Sequence, residues 1–391
     1  MNLKIAIKLI FTGFALASLA ACSYVDDFAF GKDNSIKPAK LPVLKHNQSL
    51  SIDWSTNTGK FKPLGAIKDL QPYVYHHRIY TASSDGKVQA VDEKSGHILW
   101  EKTLAHKLVA GPVVYHNTLA VNTENSSILL LNKENGQRVK TIALSNDALA
   151  KPLLLENHLY VKTVNGILYD INMETGRKYW RYDHGSPEII LKASSSPVNY
   201  QNMILSGFSD GELLGFDKQN GHVIWQQHIA FPSGASDVES LVDIDTNPIV
   251  DGDRIYVATY QGQVGAYAMD SANPIWQRQA STYQDLAISG QMLFMVDSKD
   301  IVWAFDKMSG TVLWKQTGLR ARGVTAPVIW NHQLWVADRL GVLHGISMQT
   351  GQFIGQLNLS GSVISAPVIH DGACLVYTTN GHLHHISMRK K

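Results

Sequence analysis

The feature that most constrains this chain is a four-strand unit that recurs about every 40 residues. Its clearest copy runs Pro72-Tyr-Val-Tyr, His76-His-Arg-Ile-Tyr80, Ser84-Asp85-Gly86, Lys87-Val-Gln-Ala-Val-Asp92, Glu93-Lys-Ser-Gly96, then His97-Ile-Leu-Trp100. Short apolar runs separated by turn residues read as strands, and Asp85-Gly86 supplies a tight hairpin turn. The second-turn glycine, or its substitute, falls at Gly86, Ser126, Gly166, Gly211, Gly262, Asp300, Gly341 and Gly381, spaced 40, 40, 45, 51, 38, 41 and 40 residues apart. The last-strand position falls at Trp100, Lys140, Trp180, Trp225, Trp276, Trp314 and Gly355. Five of these are tryptophan, and Trp54 adds a sixth ahead of the first full copy, out of nine in the chain. A period of this length with four strands per unit belongs to β-propellers.

The eighth copy stops after its third strand, at His382-Leu-His-His-Ile-Ser387. Its missing tryptophan strand stands at the other end of the chain, as Leu50-Ser-Ile-Asp-Trp54, 46 residues before Trp100. The expectation is an all-β, eight-bladed propeller of four-stranded antiparallel blades, closed when the N-terminal strand completes the last blade. Closure removes the exposed edges that invite aggregation. Third strands such as Ile301-Val-Trp-Ala-Phe305 and Val342-Leu-His-Gly-Ile346 are apolar on both faces, as sheets sandwiched between neighbours require. A small residue recurs two places before the end of that strand, at Ala90, Gly215, Ala266, Ala304 and Gly345, and suggests close approach of adjacent blades.

The N-terminus is of another kind. Lys4 and Lys8 precede an apolar run from Leu9 to Ala21, a signal-peptide pattern too short for a comfortable membrane span. The run ends Leu19-Ala-Ala-Cys22, which resembles the bacterial lipobox, with Cys22 as the lipidated residue of the mature chain. Ser23, where aspartate would hold a lipoprotein at the inner membrane, favours the outer membrane, with the protein on its periplasmic side. The division expected is a leader over 1–21, a lipidated linker over 22–47 and the propeller over 48–391. Without the leader the chain carries 33 basic and 33 acidic residues, so no basic excess supports nucleic-acid binding. Cys374 lies in an apolar strand and reads as core.

Recognised catalytic patterns are absent. There is no G-x-S-x-G, H-E-x-x-H or G-x-x-x-x-G-K, and two cysteines cannot form a C-x-x-C-H haem site. His382, His384 and His385 lie on a strand, where the first two share a face and the third points away, a structural arrangement more than a metal site. No catalytic residue, metal or cofactor is expected. Two connections are unusually long. One runs from Arg181 to Ser196 and the other from Phe231 to Asn247, in consecutive blades and from an outer strand to the next inner one, so both should emerge side by side on one face. Long loops on a rigid scaffold are where function tends to reside.

The repeat, with its Gly-x-x-x-Trp end, resembles that of the pyrroloquinoline-quinone-dependent alcohol dehydrogenases. That likeness implies the eight-bladed fold. Those enzymes carry a vicinal disulfide against the quinone, and this sequence has no adjacent cysteines. A closer resemblance spans nearly the whole chain, including lipobox, blades and both long linkers. It is to BamB, the outer-membrane lipoprotein family of the β-barrel assembly machine. The family's Pro-x-Leu-x-Leu-Arg linker corresponds to Pro187-Glu-Ile189-Ile-Leu191-Lys192, and its Asp-x-Asp-Thr-x-Pro segment to Asp243-Ile-Asp245-Thr246-Asn-Pro248. The resemblance implies that Ile189, Leu191, Lys192, Asp243 and Asp245 contact the POTRA domains of BamA. It also implies a non-enzymatic scaffold that assists folding and insertion of outer-membrane proteins, with unfolded substrates a further partner. Lysine at 192 cannot reproduce an arginine's bidentate fork. Two other readings stay open on the residues, a quinone-dependent dehydrogenase and a propeller that binds a ligand or the cell wall.

Overall fold

The computed structural model of the chain describes residues 36–44, 47–61, 69–186, 195–231 and 241–388. Cys22, Ile189, Leu191 and Lys192 lie outside the described residues. The unit Ala39–Lys391 carries thirty-two strands in eight four-stranded antiparallel sheets, and no helix occurs among the described residues. Blades 1 to 7 span Tyr73–Thr103, Leu108–Ala143, Leu153–Asp183, Val198–His228, Ile249–Gln279, Ala287–Gln316 and Val328–Asn358. Blade 8 joins Val368–His370, Ala373–Tyr377 and His382–Met388 to the N-terminal strand Leu50–Asn57. Within blades 1 to 7 the strands are ordered as in the sequence, and the first strands of blades 1, 2 and 3 and of blades 6, 7 and 8 touch in turn. The expected ring closure is therefore present: Leu50 pairs with Met388 and Asn57 with His382.

The second and third strands carry the core. Those of blade 4, Met203–Gly207 and Glu212–Phe216, are buried throughout, as are those of blade 7 apart from Gln333. Outer strands are mostly exposed, yet their tryptophans turn inward. Each tryptophan latches the next blade. Trp54, Trp100, Trp180, Trp225, Trp276 and Trp314 donate Nε1–H to the backbone carbonyls of Glu93, Lys133, Lys218, Met269, Lys307 and Met348, at 2.7 to 3.1 Å. Five of these rings lie on the turn glycine of that next blade, at Gly96, Gly136, Gly221, Gly310 and Gly351. At Gly310 the backbone has φ +70° and an added Cβ would stand 2.5 Å from the Trp276 ring, so both conformation and space call for glycine.

The small residues of the third strands serve a different purpose from the one expected. Cross-strand register places Ala90 between Tyr80 and Trp100, Ala266 between Tyr256 and Trp276, and Ala304 between Phe294 and Trp314. The flanking rings meet over the alanine at centroid distances of 6.4, 6.4 and 6.0 Å. Room is thus made within a blade, not between blades. Blade 2 inverts the row as Ala120–Leu130–Lys140, with the large residue in the middle and no ring on either side. Lys140 still reaches the next blade, donating to the Thr175 carbonyl beside Gly176. In blade 7, where Gly355 stands at the tryptophan position, the fully buried Trp335 from the second strand fills the space instead.

Contact with the propeller begins before residue 48. Ala39 N–H donates to Arg320 O at 2.9 Å, Gln48 N–H to Ile354 O at 2.9 Å, and Asn47 exchanges hydrogen bonds with the backbone of Gln356. Arg322 holds the Ala39 carbonyl at 3.0 Å while its Nε donates to the buried Asp338 at 2.6 Å. Cys374 is fully buried, and burial pushes its thiol pKa far up, in keeping with a core role. His384 is buried and bonded to Ser55 Oγ at 3.0 Å, whereas His385 points the other way, stacks on Trp54 and binds Asp53 at 2.9 Å. These histidines stitch the closing strand pair.

Candidate partner-docking face

Chain direction fixes what lies on each end of the ring. Connections from outer strands to the next inner strands share one end with the turns between second and third strands. The pairing of Leu104 N–H with Gly86 O, His184 N–H with Gly166 O and Ile229 N–H with Gly211 O shows the two sets side by side. The two long connections, 184–197 and 229–248, therefore leave on the same face from blades 3 and 4. That much follows the sequence reading.

Their described ends are joined. Asn247 Oδ1 accepts the Ser196 N–H at 2.6 Å, and the Asn247 backbone and side-chain N–H groups both donate to Asp285 at 2.9 Å. One side chain so links the chain segments that lead into blades 4, 5 and 6. Lys162 of blade 3 is buried and donates to Ser195 Oγ, at the end of the first linker, at 3.1 Å and to the Gly207 carbonyl. Burying a lysine is costly unless its ammonium is so bonded. Sequence reasoning missed this relay, and the only trace of it is position, since Ser196 and Asn247 directly precede Pro197 and Pro248.

Asp243 and Asp245 were expected to contact a partner directly. The structure buries both, each 1% exposed, within the run Leu241–Thr246 that is buried throughout. Neither carboxylate is isolated. The run is anchored by its backbone: Ile244 N–H donates to Phe208 O at 3.2 Å and Asp243 O accepts from Tyr260 at 3.0 Å. Thr246 Oγ donates to Ala258 O at 2.8 Å and accepts from Ala258 N–H at 3.1 Å. Ile244 presses on Gly207, where a Cβ would collide with it. The second linker thus returns as a strip built into the seam between blades 4 and 5.

A polar cluster stands where both linkers start. His184 Nε2 lies 2.8 Å from Asp210 Oδ2 and 3.5 Å from Glu212 Oε2, and His228 Nε2 lies 2.6 Å from Glu212 Oε1. The hydrogen bond to Asp210 raises the His184 pKa above its ordinary value, against the effect of burial. Burial works to raise Asp210 in turn, but the bonds from His184 and from the Glu212 N–H prevail and hold it below the usual carboxylate range.

The outer strands carry a second feature not read from the sequence. The residue just before the latch position is apolar and exposed in six successive blades, as Leu99, Val139, Tyr179, Ile224, Ile275 and Leu313, each 41 to 62% exposed. They form a belt around the rim, one residue per blade.

Comparison with known proteins decides the family. A sequence profile described as outer membrane protein assembly factor BamB matches residues 84–316. The BamB of Legionella pneumophila is 47% identical, over 94% of this chain and 96% of its own length. The chain belongs to the BamB family. A second BamB, from Pseudomonas aeruginosa, is 38% identical over 94% of this chain and 97% of its own. The crystal structure of BamB from Moraxella catarrhalis superposes with a TM-score of 0.79 at 22% identity, covering 86% of this chain and 99% of that one. A quinohemoprotein alcohol dehydrogenase from Comamonas testosteroni also shares the propeller, with a TM-score of 0.70 at 11% identity over 88% of this chain and 77% of its own. That likeness concerns the fold alone. Cys374 sits buried with no adjacent cysteine, so the disulfide expected against a quinone has no counterpart. The BamB relatives are named as assembly factors, not enzymes.

Proposed function

We propose that the protein is a non-enzymatic scaffold of the outer-membrane β-barrel assembly machine. Anchored to the outer membrane through Cys22 and facing the periplasm, it binds the POTRA domains of BamA and assists folding and insertion of outer-membrane β-barrel proteins. The observation that carries this reading is membership of a family whose relatives are named outer membrane protein assembly factors. Two linkers on one face, tied at their ends through Asn247, support docking there. Ile189, Leu191 and Lys192 on the first linker are the proposed contact residues. Asp243 and Asp245 belong to the same site, and their burial makes them its foundation: they hold the second linker's strip in the shape the partner meets. The rim belt is a surface on which unfolded substrates could rest an apolar strand.

Co-purification with BamA from detergent-solubilised membranes tests the docking. Lysine at a 1% exposed position would bury a charge, so Asp243→Asn and Asp245→Asn are the informative variants there. The pair Ile189→Glu and Leu191→Glu should abolish BamA capture while near-ultraviolet circular dichroism stays as in the wild type. Retention of BamA at wild-type level by both pairs of variants would overturn the assignment.

A further inference from the structure

Three side chains at the roots of the linkers form a set that suits a metal ion, and a fourth supports it. His184 opens the first linker, immediately after the outer strand Lys178–Asp183 of blade 3. His228 ends the outer strand Val223–His228 of blade 4 and so opens the second. Asp210 and Glu212 flank Gly211 in the turn between them. One ligand atom from each of His184, Asp210 and Glu212 lies within 4.8 Å of the others. His228 adds a second imidazole against Glu212.

We propose that His184, Asp210 and Glu212 form a binding site for a divalent transition-metal ion, with zinc the best fit, and that His228 backs Glu212 through its other oxygen. One imidazole with two carboxylates, leaving a fourth position open, supplies nitrogen and oxygen donors of the kind zinc takes. Donors about 2.0–2.1 Å from one tetrahedral zinc lie about 3.3 Å from each other. The spacings of 2.8 and 3.5 Å from His184 Nε2 to its two carboxylates bracket that value.

The surroundings hold these donors in place. Asp210 Oδ1 accepts the Glu212 N–H at 3.1 Å, which leaves Oδ2 facing His184. Gln226 Nε2 donates to Glu212 Oε1 at 2.7 Å. The buried Phe208 ring packs on His184 at 4.2 Å and Phe231 stacks on His228 at 4.9 Å, an apolar shell of the sort that tunes metal sites. Without metal, the same four groups pair with one another as histidine–carboxylate hydrogen bonds. A bound ion would tie the start of the first linker to the Asp210–Glu212 segment of blade 4, whatever partner the linkers meet, so the proposal stands apart from the functional reading.

Zinc titration of the metal-stripped full chain, in competition with a chromophoric chelator, tests the site. One zinc per chain is expected. His184→Ala and Asp210→Asn should each weaken binding at least about tenfold, the size expected for losing one ligand or its support. The milder Glu212→Gln and His228→Gln should weaken it while leaving circular dichroism unchanged. His370→Ala, in the separate Glu93–His370–Asp371 group on another part of the ring, should have no effect. X-ray absorption at the zinc edge should show nitrogen and oxygen ligands with imidazole scattering. Absence of saturable binding, wild-type affinity in His184→Ala and Asp210→Asn, or loss of binding on His370→Ala alone would each overturn the proposal.

Discussion

If the tryptophan latches hold the ring together, the clearest place to break one is Trp276 on Gly310. Trp276 is 7% exposed, its Nε1–H meets Lys307 O at 2.9 Å, and its ring covers a glycine whose Cβ would stand 2.5 Å away. Trp276→Ala removes a nearly buried ring, a loss of about 3–5 kcal/mol. Trp276→Phe keeps most of the ring but leaves the Lys307 carbonyl without its donor, for a loss of about 1–3 kcal/mol. Gly310→Ala has two separable costs. An alanine at φ +70° pays about 1–2 kcal/mol in backbone conformation, and the collision with the ring adds about 1–3 kcal/mol. In the double variant Trp276→Ala/Gly310→Ala the collision vanishes while the backbone cost remains. The two changes should therefore couple favourably by about 1–3 kcal/mol, the range seen for residues in contact. Urea midpoints of the four proteins, followed by near-ultraviolet circular dichroism, give the cycle. Strict additivity would mean the ring is not seated on Gly310 and would refute the latch.

Blade 2 supplies the converse. Lys140→Trp alone should not stabilise, because the ring would land on the fully buried Leu130, and overpacking costs about 1–3 kcal/mol; only with Leu130→Ala and Ala120→Tyr should the denaturation midpoint recover. Acid should loosen the closure. Burial, aided by His382, lowers the His384 pKa from 6.5 to about 4, so between those values the unfolded chain binds the proton and the folded one does not. Stability should fall as pH drops through that window, by up to about 3 kcal/mol at its lower end. His384→Gln should flatten this part of the stability–pH curve, and an unchanged slope would count against it.

The ring was legible because it is periodic. Trp54 could be matched to a blade 46 residues away, and the pairing of Leu50–Asn57 with His382–Met388 follows from that match. What escaped is what breaks the period. Gly355 looks like a lost latch in the sequence, but Trp335 fills its place from a different strand, and no spacing rule connects the two. The small residues at Ala90 and Ala304 were visible, yet their purpose depends on which ring stands opposite in each row, and that is a matter of register. The burial of Asp243 and Asp245 escaped because linkers have no alternation from which burial can be read. His184, Asp210, Glu212 and His228 come from three stretches of chain, and only the seam between blades 3 and 4 brings them together.

Latches and linkers occupy opposite ends of the ring, and this separation explains how the chain can carry both. Every latch bond reaches a turn between third and fourth strands, at Glu93, Lys133, Lys218, Met269, Lys307 or Met348. The long connections leave from the other end, where outer strands pass to the next inner ones. Spacing between equivalent turn residues rises to 45 and 51 across these two connections, while blades 4 and 5 keep the strand pairing and latches of their neighbours. Lengthening a surface loop adds little closure entropy, about 0.6 kcal/mol per doubling. The ring therefore pays little for its two insertions, and residues such as Asn247, Lys162 and the His184 cluster can be organised there for binding without disturbing what closes the propeller.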